Sequence, residues 1–249
     1  MISPSLTRLR HRPDKPDDRD VRFHPETRTL PATATLARYC PPVYDQGAIQ
    51  SCSAHAVSAA IRVTAAIENV PVDPPSRLFV YYNARVLNGD PGVDDGATIR
   101  DALKAAAKPG ICAETQWPYL ESRVLDRPVA EAYAAATAGV REYQRIDPDL
   151  DALRACIAGG APFIFGINVY KSTVAQWMHG GNLLPPQSNE AVLGGHAILA
   201  VGYDDGTRVV RALNSCGAAT GDNGFVNVPY SYFQRTDQTY DFWTIRKIG

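Results

Sequence analysis

Small and apolar side chains at Ala54, Val57, Ala60, Ile61 and Ala65 recur at helical spacing, which predicts one buried helix over 52–69 that Pro71 ends. Further helical stretches are read at 75–86 and 97–107, with a short alanine-rich piece near 129–138. From Val140 onward the pattern changes to short apolar runs between Gly, Pro and Asp turns. The runs at 162–167, 197–202, 209–213, 224–228 and 241–246 read as strands. Helices first and strands second predict an α+β protein of two lobes, mainly helical over 43–139 and mainly β over 30–42 and 140–249. A substrate groove is expected between the lobes. No internal repeat is visible.

Residues 1–29 break the pattern. They are dense in Arg, Asp and Pro, as in Arg12-Pro13-Asp14-Lys15-Pro16-Asp17-Asp18-Arg19-Asp20, and carry almost no apolar periodicity, so they read as an N-terminal extension rather than a lobe. Two readings stay open for it: a short plug across the cleft, or a solvated tail.

Candidate chemistry begins at Cys52, where a turn gives way to the first helix, six residues after Gln46. A helix N-terminus offers unpaired N–H donors and partial positive charge, which favour thiolate over thiol and can hold an oxyanion. A base must come from a distant segment, and His196 opens the apolar run 197–202. Asn214, at the start of a Gly-rich segment, can fix the imidazole tautomer.

In this order the segments resemble the papain-like cysteine peptidases. In that family a Q-G-x-C-G-S-C-W-A-F block carries the oxyanion glutamine and the nucleophile. An H-A-V-x-x-V-G-Y block carries the base, and N-S-W-G-x-x-W-G-x-x-G-Y the orienting asparagine. Here Gln46 to Ala56, His196 to Tyr203 and Asn214 to Gly224 stand in those places. The resemblance spans about residues 30–248, with 75–82, 95–107, 109–111 and 117–119 matching more loosely. It implies a two-lobe fold, with a helical left lobe, an antiparallel, β-barrel-like right lobe and the active site between them. It also implies peptide-bond hydrolysis through a thioester on Cys52, with His196 as base, Asn214 orienting it and Gln46 holding the oxyanion. No metal or organic cofactor is implied, and the expected partner is a peptide or protein substrate. Asp95 and Gly96 fall on the family's Gly-Gly cleft wall. Gly166, Gly194, Gly195 and Ala197 fall beside the pocket for the second residue before the scissile bond. Small residues there would leave that pocket roomy enough for a bulky apolar or aromatic group.

Departures from the family pattern are specific. Ile49 replaces a half-cystine, so a disulfide cannot anchor the loop before Cys52. Gln50 and Ser53 replace a glycine and a tryptophan, and Cys216 and Thr220 replace both tryptophans of the asparagine block. With less area over the His–Asn hydrogen bond, a wetter and weaker bond is expected.

Each residue also has a bland reading. A lone cysteine commonly packs as a small hydrophobe, a lone strand histidine is usually satisfied structurally, and a lone asparagine often forms turns. His55 reads as a filler at a position the family gives to an aromatic. Asp90, Asp94 and Asp95 lack the spacing of a calcium loop and read as turn formers. The four polar residues at family spacing are what favour catalysis. A thiol acyltransferase on the same fold and a catalytically idle binding module remain the rival readings.

The totals fit that picture. The chain has 249 residues, 45% of them hydrophobic and 20% charged, which is ordinary globular composition. A formal net charge of −1 gives no electrostatic footprint for nucleic acid or an anionic membrane. No leader-like or membrane-spanning apolar run is read, and the five cysteines show no metal spacing, which together point to a reducing, cytoplasmic setting.

Overall fold

The computed structural model describes residues 9–26 and 29–249. Helix α1 (Cys52–Glu68) closes at Asn69, which takes the left-handed conformation at φ 55°, two residues before Pro71. It is buried almost from end to end because it runs between two layers. On one side lie α2 (Arg77–Leu87) and α3 (Ile99–Ala107), and on the other strands β4 (Val192–Asp204) and β7 (Thr239–Ile248). Ser76 caps α2 by accepting from Phe79 N–H, and Thr98 caps α3 by accepting from Asp101 N–H. Such caps satisfy N–H groups that have no partner inside the helix. The alanine-rich piece is the short α4 (Ala130–Ala134).

The remaining strands are β1 (Thr33–Thr35), β2 (Val140–Arg145), β3 (Phe163–Tyr170), β5 (Val209–Leu213) and β6 (Phe225–Pro229). They join β4 and β7 in one antiparallel sheet ordered β2-β7-β3-β4-β5-β6, with β1 on β4. Its ends, β2 and β6, are not paired with each other among the described residues, so the sheet is open rather than a closed barrel. Register brings Tyr240, Gly166 and Ala197 into one row across β7, β3 and β4. Behind the sheet, Phe163, Phe165, Phe233 and Phe242 form one aromatic cluster.

The strand region also holds two helices the pattern reading lacks, α5 (Leu150–Ala158) and α6 (Lys171–Met178), and a last short turn of helix, α7 (Tyr230–Phe233). Helix α6 leaves directly from the end of β3, so no turn residue announces it. No helix among the described residues is long and apolar enough to cross a membrane.

Residues 9–23 of the extension pack against this frame. Leu9 and Phe23 are buried, and Phe23 N–H and Arg145 N–H exchange hydrogen bonds with Arg145 and Val21 carbonyls along the β2 edge. The Asp14 carboxylate is fully buried, accepting from Trp243 Nε1 at 2.7 Å and Arg100 N–H at 3.2 Å. Asp20 pairs with Arg100 and Arg145. Asp14 and Asp20 therefore answer buried partners on the body of the protein, while Lys15, Asp18 and Arg19 face water.

Candidate active site

Cys52 is the first residue of α1 and only 2% exposed. The N–H groups of Ala197, Ser53 and Cys52 itself act on its sulfur and favour thiolate, but burial outweighs them and pushes the thiol up to about 11. Ala197 follows His196 on β4, so the contact with its N–H brings that strand segment against the Cys52 sulfur. His196 is fully buried, and burial takes its imidazole down to about 4, opposed by the hydrogen bond to Asn214.

The tautomer of His196 follows from the hydrogen bonds around it. Asn214 Oδ1 accepts from Ser215 N–H at 2.8 Å, which orients the amide with its oxygen toward the ring. His196 Nε2 lies 2.8 Å from the same oxygen and therefore donates to it. Nδ1 is left as the proton acceptor, and no side chain or backbone group among the described residues bonds to it.

The His196–Asn214 pair is buried, with an indole beside the ring. Trp177, fully buried on α6, lies 5.3 Å from the His196 ring centroid to centroid, and Cys216 Sγ lies 3.6 Å from Asn214 Oδ1. An indole is present after all, delivered from an unforeseen helix and not from the asparagine block.

Gln46, 1% exposed, is held at both ends of its amide. Ser215 Oγ donates to Oε1 at 2.7 Å, and one Nε2 hydrogen goes to Ile49 O at 2.9 Å, leaving the second available. Tyr119 Oη donates to Gln46 O at 2.8 Å and bonds Ser51 Oγ at 2.7 Å, tying the turn to the start of α1. In place of the absent disulfide, Asp94 accepts from Gln50 N–H at 3.1 Å and from Tyr81 Oη at 2.6 Å. His55 packs edge-on against Tyr119 and bonds Ser51 O through Nδ1, and burial takes it down to about 3, so it is a neutral structural ring. Asp90 and Asp95 pair with arginines of the extension. All five cysteines are free thiols.

Asp95, Gly96, Gly166, Gly194 and Gly195 converge on residues 9–12, while Ala197 lies against the Cys52 sulfur. His11 N–H donates to Gly195 O at 3.0 Å, within a parallel bridge between Arg10 and Gly195. A Cβ at Gly96 would stand 1.8 Å from Arg10 O, and one at Gly194 2.0 Å from Leu9 O, so neither wall tolerates a side chain with this segment in place. The His11 ring stacks on Tyr240 at 5.6 Å, with Nδ1 3.2 Å from Ala97 O. The pocket is less roomy than its small residues suggest, because Tyr240 fills the space a side chain at Gly166 would take. Tyr240 was not anticipated, since only the sheet register brings it beside Gly166.

The sequence pattern of the papain family cysteine proteases matches residues 32–232. An uncharacterized peptidase C1-like protein, L477 of Acanthamoeba polyphaga mimivirus, is 31% identical over 264 residues, covering 94% of this chain and 85% of that protein. Among solved structures, xylellain, a cysteine protease from Xylella fastidiosa, superposes with a TM-score of 0.90 at 38% identity, over 97% of this chain and 96% of that one. Digestive procathepsin L 3 of Tenebrio molitor larval midgut shares the fold, with a TM-score of 0.74 at 18% identity over 96% of this chain and 77% of that one.

Proposed function

The chain belongs to the papain family of cysteine proteases, and from that premise we propose a peptidase working through Cys52, His196, Asn214 and Gln46, held latent by its own residues 9–12. The observation that carries the reading is the bond from His196 Nε2 to Asn214 Oδ1, which leaves Nδ1 as an unpartnered base beside the strand segment touching the Cys52 sulfur.

With the cleft open, Cys52 gives its proton to His196 Nδ1, and the thiolate attacks the substrate carbonyl. The oxyanion of the tetrahedral intermediate accepts from Cys52 N–H and from the free Nε2 hydrogen of Gln46. Collapse breaks the C–N bond, the imidazolium protonates the leaving amine, and a thioester remains on Cys52. Water, deprotonated by Nδ1, attacks the thioester and releases the acid.

With residues 9–12 in place, burial holds both partners neutral, a thiol and an imidazole. Displacing the segment admits water, which lowers the cost of the charged pair, and frees the wall at Gly96 and Gly194 for substrate backbone. Hydrolysis of a fluorogenic dipeptide by the chain, by the chain starting at Asp14 and by Cys52→Ala tests this. The shortened chain is expected to be faster than the full chain and Cys52→Ala inert. Hydrolysis that survives Cys52→Ala would overturn the assignment.

A further inference from the structure

The position of Asp95 beside the cleft wall gives it a carboxylate where the family pattern has a glycine. Two arginines of the extension meet it. Arg10 Nη1 lies 2.6 Å from Oδ1, and Arg12 Nη2 lies 2.6 Å from Oδ2, while Arg12 Nε also donates to Asp95 O at 2.9 Å. Hydrogen bonds from Arg10 and then Arg12 hold the Asp95 carboxyl below the usual carboxylate range. Between these arginines His11 fills the pocket over Tyr240, buried and with Nε2 unpartnered toward Gly166. An imidazole with an unsatisfied nitrogen is an imperfect occupant for that pocket. The segment therefore marks subsites that a substrate can claim from it.

We propose that Asp95 is a specificity residue of the proposed peptidase, selecting substrates that carry an arginine next to the residue seated in the pocket. The flanking arginines make this independent of chain direction. Whether a peptide crosses the cleft in the sense of residues 9–12 or the opposite one, a neighbour of its pocket residue reaches the same carboxylate. Asp95 keeps about a third of its side chain in water, so the contact is a partly screened, charge-assisted one, and a moderate preference is expected.

The test compares hydrolysis of phenylalanine peptides with arginine, or its neutral isostere citrulline, immediately before or after the phenylalanine. Each pair is read as a ratio of kcat/KM within one protein, so competition from residues 9–12 divides out. The wild-type chain is expected to favour arginine about two- to five-fold at low salt, less at high salt, and Asp95→Asn to bring the ratio to about one. An unchanged ratio in Asp95→Asn, or no preference in the wild type, overturns the proposal and leaves Asp95 as an anchor for the extension alone. The inference rests on the peptidase reading, so the same peptides are also titrated onto Cys52→Ala with and without Asp95→Asn, followed by fluorescence anisotropy. An arginine preference in binding without hydrolysis by the wild type would sink the peptidase reading and keep the subsite.

Discussion

Ser215 ties two parts of the site together: its N–H orients Asn214, its hydroxyl holds Gln46 Oε1, and its carbonyl accepts Gln46 N–H. Gln46→Ala removes the proposed oxyanion donor and is expected to lower kcat by about 10²–10³ with little change in KM. Ser215→Ala leaves Nε2 present but loosely aimed, and kcat is expected to fall by about ten-fold, a smaller loss than removing one oxyanion donor outright. Equal losses for both variants would show that Ser215 does more than aim the amide. Trp177→Ala opens a cavity against His196 at a cost of about 3–5 kcal/mol, and calorimetry should register that loss together with lower turnover. Gln46, Cys52, His196 and Asn214 stand out as candidates because each lies in a short local block that the family pattern covers. Trp177 and Tyr240 do not, because their positions beside the site come from a helix leaving β3 and from the register of β7, which no local pattern encodes.

At the scale of elements, the helices and strands that alternate cleanly in hydrophobicity were read within a few residues, as with α1, α3 and β5. Helix α5 was passed over although Leu150, Leu153, Cys156 and Ile157 follow helical spacing, because the surrounding strands set the expectation for that region. The extension is the element whose behaviour depends on pH. His11 is docked as a neutral ring and taken from 6.5 to about 4, chiefly by burial. Its share of docking is fully present above about 6.5 and is lost as pH falls toward 4. Asp241, raised by burial and by Asp14 to about 6, works the other way. Its contribution is present at low pH and is lost as pH rises from the usual carboxylate range through 6. The two shifts are similar in size, so docking is expected to change little between pH 6.5 and 4. His11→Phe leaves Asp241 as the main group that titrates between pH 6.5 and 4, since the Asp95 contacts weaken only below the usual carboxylate range, and the extension should then be held more tightly as pH falls. Proteolytic nicking of residues 9–26 across that range, in Cys52→Ala so that self-cleavage cannot interfere, checks this. Nicking of the His11→Phe chain that rises with acidity would contradict it.

For the molecule as a whole, the extension has two roles split near residue 13. Residues 9–12 lie against Gly96, Gly194 and Gly195, while Asp14 and Asp20 neutralise Arg100 and Arg145 and satisfy Trp243 Nε1 inside the protein. Starting the chain at Asp14 is expected to free the cleft and keep the fold. Starting it at Leu30 leaves Arg100 and the indole N–H without these partners and Arg145 with Asp241 alone, and is expected to cost about 3–5 kcal/mol, seen as a lower unfolding temperature. Composition alone hid this, since a run of Arg, Asp and Pro reads the same whether its partners are water or buried side chains. The most direct measurement on the site is the rate at which iodoacetamide alkylates each thiol of the chain starting at Asp14, mapped by mass spectrometry, with and without His196→Ala. The expected result is a single fast adduct on Cys52, slowed at least about 100-fold by His196→Ala. Alkylation of Cys40 ahead of Cys52, or a Cys52 rate indifferent to His196, would contradict the pairing of this thiol with this imidazole.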